Sequence, residues 1–491
     1  MCISFFPAGC GGGGGLRAGL IFFLAAGVGW VMMRAMDLAD FVRGLWWGAA
    51  ALTSLPAAEV ERTWTSHDGK IIVATLVDTD GTTARLRLGR GVVTTVPWSR
   101  LSREDQEYLA EWRENRPPSL IRPDVVGVEP SGLRVETVLE DEAGGRFVYR
   151  TPHFEFESEG RLAGSLAGEV ARSFEATYEL LRALPWSVDP RPAEGRYFRA
   201  SLFRTMEGYH EAGGLPGSAG SYFSNQRRLM VPFESMGIAA AGREYRMDET
   251  FDTHILVHEL THQMMHFWLG LLPQWVVEGV AEYAGRLPFR GGKFRVSEAE
   301  AGLKEYVAFR KKRVVGGVPE PYPLDKLFSM TSEEWKEMMA SDNSQTQRLY
   351  MTSYLLVFYF MHFDGRGDGE RFVRYMHASS APCRQMEAYE RELASYNDRV
   401  RSQWPEGRAR EGGGRDGGRD GGRDGGRNGG RNGGRDGGDR EAPPAMPREL
   451  FFGAAREQIL QENLQLLLDG RTEAQLMEEV RAAYLRFGVA L

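Results

Sequence analysis

Apolar and polar residues alternate in several rhythms along the chain, and the changes of rhythm divide it. Residues 16–58 are almost continuously apolar: "LRAGLIFFLAAGVGWVMM" and "FVRGLWWGAAALTSLPAA" are parted only by "RAMDLAD". Residues 60–112 change to short β-rich runs punctuated by His67-Asp68-Gly69, Asp80-Gly81 and Gly89-Arg90-Gly91, which predicts a small β unit. A helix closes it, with Ser102 as N-cap and Asp105 three residues on. "RPPSLIRPD" at 116–124 reads as a proline-bearing linker. Beyond it strands and helices mix. "HFEFES" (153–158) alternates as a half-buried strand, and 160–185 carries the helical period up to Pro185. "YFRASLF" (197–203) and "RRLMVPF" (227–233) predict further strands. A helix is predicted from about Phe251 and another after Pro273. The expected fold class is α+β, mixed sheet first and mostly helices afterwards.

Composition narrows the function classes. A formal charge of −7 does not suggest a nucleic-acid binder, and none is expected as a partner. Of three cysteines, Cys2 and Cys10 lie at the extreme N-terminus and only Cys383 in the body, so neither a disulfide framework nor a cysteine-based metal site is expected. The N-terminal apolar stretches end in Pro56-Ala57-Ala58, which fits an export signal with a small-residue cleavage site. The glycine run Gly11–Gly15 is unlike any signal and suggests a true start at Met33 or Met36. The chain is expected to be exported, periplasmic or extracellular, with membrane attachment only through this N-terminal segment. Residues 412–438 are near-copies of Gly-Gly-Arg-Asp/Asn, which cannot form a core, and read as a flexible insert. The last residues return to helical periodicity and are expected to pack on the body.

"HILVHELTHQMMH" (254–266) spaces His254, His258, His262 and His266 by four, which places them along one stripe of a helix. Adjacent imidazoles in such a stripe can reach one metal ion. A metal hydrolase of this kind needs a carboxylate just after the first ligand, to take a proton from water. Ile255 follows His254 and Gln263 follows His262; only His258 is followed by an acid, Glu259. The pair is therefore His258 and His262. The next predicted helix reads "WVVEGVAEY", with Glu278 and Glu282 one turn apart. Glu278 is the natural third ligand, and Glu282 the group to accept the free N–H of a ligand histidine. His254 and His266 are left as neighbours of the site.

"HELTHQMMHFWLGLLPQWVVEGVAEY" (258–283) resembles the gluzincin metallopeptidases, and within them the bacterial peptidase MA-like group. The resemblance implies a zincin-like domain with one Zn2+ on His258, His262 and Glu278, Glu259 as general base, and a peptide or protein as substrate. It also implies an oxyanion donor from a tyrosine opening a later helix. "LYMTSYLLVFYF" (349–360) offers Tyr350, with Tyr354 as competitor. The glycine-rich exopeptidase motif of the aminopeptidase relatives is absent. In its place "GSYFSNQRRLMVPF" suggests that Arg227, Arg228, Leu229, Met230 and Val231 form an edge strand able to pair with an extended peptide. Residues 60–112, with "RTWT…DG" and "VPWSRLSREDQEYL", resemble the Sla-homology domain, an SH3-like barrel.

The expected organisation is a hydrophobic N-terminus (1–58), an SH3-like module (60–112), a linker (113–124), a gluzincin-like domain (125–405), a Gly/Arg/Asp-rich insert (406–446) and C-terminal helices (447–491). The function expected is a zinc metallopeptidase. The competing expectation is a non-catalytic cell-envelope binding protein, with a structural zinc and the barrel as its working part.

Overall fold

The computed structural model describes residues 61–79, 83–89, 93–115, 120–192, 195–215, 217–242, 244–248, 252–313, 320–341, 343–403, 442–450 and 453–491. The predicted export segment, Met33 and Met36, the Asp80-Gly81 turn, Phe251 and nearly all of the glycine-arginine insert lie outside these residues. The chain is α+β and divides into two compact units, with the boundary between Pro117 and Pro118. Among the described residues, no helix is long and apolar enough to cross a membrane.

The N-terminal unit is a four-stranded antiparallel sheet followed by a helix. Its strands run in sequence order: β1 (Glu61–Thr65), β2 (Ile71–Thr79), β3 (Thr83–Leu88) and β4 (Val93–Pro97), with α1 (Arg103–Asn115) behind them. Trp64, Ala74, Ala84, Leu86 and Leu109 are its fully buried residues. The Trp64 indole N–H donates to the Ala74 carbonyl at 3.0 Å, so this large ring is buried without an orphaned donor. Ser102 caps α1 by accepting the Asp105 N–H at 3.2 Å. The Asp105 carboxylate does not return the bond to the cap backbone. It accepts the Thr65 N–H at 2.6 Å and the Arg62 guanidinium at 2.9 Å, tying α1 to β1.

The second unit begins inside the predicted linker. Arg122 donates to the carbonyls of Met361 (2.7 Å) and Gly367 (3.1 Å), so this end of the proline-bearing stretch belongs to the body. Strand β5 (Val125–Gly127) is followed by β6 (Glu136–Asp141), β7 (Arg146–Arg150) and β8 (Phe154–Ser158). Helix α2 (Gly164–Ala183) leads to β9 (Phe198–Phe203), the short α3 (Met206–Glu211), β10 (Ser221–Phe223) and β11 (Arg228–Pro232). Six of these form one sheet in the order β10-β11-β9-β8-β7-β6, with β9 parallel to both β8 and β11. Alternation explains β8: Phe154, Phe156 and Ser158 are buried while the intervening Glu155 and Glu157 are only partly buried. Phe174 of α2 meets both phenylalanines edge-on, at 5.2 and 5.5 Å.

One expectation fails here. β11 is not an edge strand. Leu229, Met230 and Val231 are buried between β9 and β10, and Arg228 pairs with both neighbours. The edge is β10, which at three residues is too short to declare itself by alternation. Arg227 stands in the turn before β11, not in the strand.

A hairpin, β12 (Ile238–Ala241) and β13 (Glu244–Met247), precedes the site helix α4 (His254–Met264). Helix α5 (Gln274–Gly285) follows, then β14 (Phe289–Arg290) and β15 (Lys293–Arg295), which pairs back with β5. The remaining helices are α6 (Ala299–Arg313), α7 (Leu324–Ser329), α8 (Ser332–Ser341), α9 (Asn343–His362), α10 (Glu370–Gln403), α11 (Ala454–Leu468) and α12 (Glu473–Arg486). Gly279 lets α5 lie directly on α9: a Cβ there would stand 2.5 Å from the Ser353 carbonyl oxygen. The last helix buries Leu476, Val480 and Tyr484 and is tied to α9 by the Tyr484 hydroxyl, which donates to the Leu355 carbonyl at 2.8 Å.

Candidate metal centre

Helix α4 runs through the unit's core, so its polar residues are buried with its apolar ones. His258, His262 and Glu259 are each at most 1% exposed. Desolvating three ionisable side chains is costly unless they pair with each other or with a cation. The partners of the two histidines come from α5. His258 Nε2 and His262 Nε2 lie 2.9 Å apart, and Glu278 Oε2 lies 3.3 and 3.4 Å from them. Three ligand atoms around a tetrahedral ion with bonds of about 2.0–2.1 Å would stand roughly 3.4 Å apart. The donor set is the right size.

The chemistry of the donors also fits. Glu278 Oε1 accepts the Gln274 side-chain N–H at 2.8 Å, whereas Glu278 Oε2 is buried and accepts no hydrogen bond. On its other side His258 turns Nδ1 to Glu282 Oε1 at 3.3 Å. That contact is not aligned as a hydrogen bond, so its effect is electrostatic; it favours the proton on Nδ1 and leaves the Nε2 lone pair facing the cluster. Lone pairs of two imidazoles and one carboxylate thus converge, an arrangement that could hold a metal ion. Without a cation a proton must take its place. Burial opposes a charge on His258, but Glu278 and Glu282 outweigh it and raise its pKa to about 10. Burial likewise opposes charge on Glu278, but His262 and His258 lower it to about 2.

Glu282 is held from two further sides. Arg286, one turn on, donates to Oε2 at 2.8 Å, and His254 Nε2 stands 3.2 Å from the same atom. Burial disfavours its charge, yet Arg286 and His254 hold its carboxyl well below the ordinary range. His254, His258 and Glu282 form a second group whose ligand atoms converge. Arg286 occupies part of that space, so the first group is the better cation site. Close packing keeps His254 there: a Cβ on Gly285 would come within 2.7 Å of its ring.

Glu259 belongs to neither group. Its Oε2 accepts the backbone N–H of Tyr222, in the edge strand β10, at 2.8 Å. A non-ligating carboxylate therefore stands beside the cluster with one oxygen fixed by the rim of the sheet.

The stripe of four histidines does not hold. Helix α4 ends at Met264 and His266 lies in the 3-10 turn His266–Trp268. It faces away from α5: Nδ1 meets the Tyr222 hydroxyl at 2.8 Å and Nε2 lies 3.8 Å from Glu390 of α10. Tyr350 approaches the cluster, its ring 6.2 Å from that of His258, and its hydroxyl meets the Met339 sulfur at 4.0 Å. Tyr354 sits one turn deeper against Tyr306, buried enough that its hydroxyl pKa is pushed far up. Gln274, Arg286 and the Tyr222 backbone are the site groups that motif reading passed over. The first two had a signal, since each is four residues from an α5 glutamate.

In comparisons with protein-family models, with curated proteins and with solved structures, nothing matches this chain.

Proposed function

We propose that the chain is an exported zinc-dependent metallopeptidase. His258, His262 and Glu278 would hold the ion, and Glu259 acts as general base. The observation that carries this reading is Glu259 itself: wholly buried, adjacent to a ligand, and outside both groups that could bind a cation. A structural metal site has no use for such a carboxylate, whereas hydrolysis needs one. Zinc, when bound, supplies the Lewis acidity that lets water react with a carbonyl near neutral pH. Glu259 takes a proton from the attacking water and returns it to the leaving amine. The Tyr222 N–H keeps its carboxylate turned to the cluster. Tyr350, beside His258, donates to the oxyanion. Export follows from the apolar 16–58 stretch and its small-residue end.

The test is digestion of a mixed peptide library, read by mass spectrometry. Peptide-bond cleavage should vanish on treatment with a chelator and return with one equivalent of zinc. A zinc-loaded chain that leaves every peptide intact would sink the peptidase reading.

A further inference from the structure

We propose that the cavity at the end of the β10–β11 hairpin is a carboxylate-recognising subsite, taking an acidic side chain or the free C-terminus of a peptide. The identity of the ligand as a peptide rests on the peptidase reading; the chemistry of the cavity does not. It has a volume of about 370 Å³, in the range of small-ligand sites. Arg199, Arg227 and Arg228 line it with Gln226, Gln263 and Tyr222, and among the described residues no acidic one is on its wall. Two of these residues join it to the metal centre. Gln263 directly follows His262, and Tyr222 is the residue whose N–H holds Glu259.

Among the described residues, Arg199 and Arg228 share their carboxylates with other arginines. Arg150 and Arg199 both contact Glu155, and Arg146 and Arg228 both contact Glu157. Two carboxylates thus face four guanidinium groups. Arg199 and Arg228 use Nη1 for their contacts, with Glu155 and with Ser201 and Glu157. The rest of each planar fork is the shape that binds a carboxylate through two parallel hydrogen bonds.

Two further features mark a built site. Arg227 has φ +52°, a left-handed backbone that usually calls for glycine or asparagine, and its side chain is fixed by Glu390 at 2.8 Å. Gln263 is 2% exposed; its amide N–H donates to the Arg199 carbonyl at 2.7 Å, while its Oε1 accepts nothing. A buried acceptor with no donor is costly, and this one belongs to a residue of the cavity wall next to His262. The cavity therefore offers cationic donors for a carboxylate.

The experiment measures binding and cleavage separately. Fluorescent peptides differing only in Glu or Gln at one position, each as free acid and as C-terminal amide, are titrated onto the full, zinc-loaded Glu259→Gln chain. Anisotropy should show about tenfold tighter binding of carboxylate-bearing peptides, as one added charge-assisted contact implies. The Glu/Gln arm and the acid/amide arm tell which carboxylate is read. Arg199→Gln with Arg228→Gln should bring the ratio close to one, and Arg199→Lys with Arg228→Lys should restore part of it. Equal binding of all four peptides, or a ratio indifferent to both arginines, overturns the subsite. Discrimination without any cleavage by the wild type would retain the subsite and remove the peptidase reading.

Discussion

Without a metal, the stability of this protein should depend on alkaline pH in a way that one histidine explains. In the metal-free chain His258 carries a proton between Glu278 and Glu282, and its pKa is raised from 6.5 to about 10. A raised pKa means that the folded state binds the proton more tightly than the unfolded one. The contribution is complete below pH 6.5, where both states are protonated, and is lost as pH climbs towards 10. A shift from 6.5 to about 10 corresponds to roughly 5 kcal/mol at most. The lowered pKa of Glu278 reflects the same contacts seen from the other partner, so it is not added. By pH 9 the unfolded imidazole has released its proton and the folded one has kept it, for a loss of about 3 kcal/mol. The assay is urea unfolding of the chelator-stripped chain from pH 6.5 to 9, followed by helical circular dichroism. His258→Gln, which cannot titrate, removes the contribution of every other group. The wild type should lose about 1.4 kcal/mol per pH unit more than the variant, and zinc should abolish the difference. Parallel slopes in the two metal-free proteins would refute the reasoning.

Other substitutions probe the groups around the cluster. Gly279→Ala puts a methyl 2.5 Å from the Ser353 carbonyl oxygen, and α5 must retreat by most of an ångström to relieve it. Metal ligation tolerates about 0.2 Å, so competition with a chromogenic chelator should show weakened zinc binding; unchanged affinity would mean that α5 and α9 are not so tightly apposed. Arg286→Met leaves Glu282 buried without its closest cation and should cost about 3–5 kcal/mol in urea unfolding, against which a loss under about 1 kcal/mol would count. Tyr350→Phe should reduce kcat about a hundredfold with zinc affinity intact; a kcat within about threefold of wild type would remove the tyrosine from the oxyanion role.

The histidine–glutamate cluster was legible because helical spacing is rigid. His258, His262, Glu278 and Glu282 are set by two helices whose period converts sequence separation directly into direction. Where distance along the chain does not fix position, the reading failed. "RRLMVPF" is an apolar run that fits an edge or an interior strand equally well; only the order of the sheet decides, and β10 lends three residues to that decision. His266 kept the four-residue interval, but "QMMHFWLGLLP" has no breaker before Gly270 to show that the helix ends at Met264. The arginine-lined cavity gathers residues from β9, from the β10–β11 turn and from α4, and no local pattern could announce it. Arg122 was assigned to a linker by its prolines, although its role is to bond the carbonyls of Met361 and Gly367 more than 200 residues away.

The central claim is that His258, His262 and Glu278 hold a metal for which Glu259 is the base. It is tested most directly by one comparison: zinc content and peptide cleavage of the wild type and of Glu259→Gln, measured on the same preparations. One zinc is expected in each protein, with cleavage by the wild type and a loss of at least about a hundredfold in the variant. Full activity in Glu259→Gln, with its zinc retained, would contradict the claim.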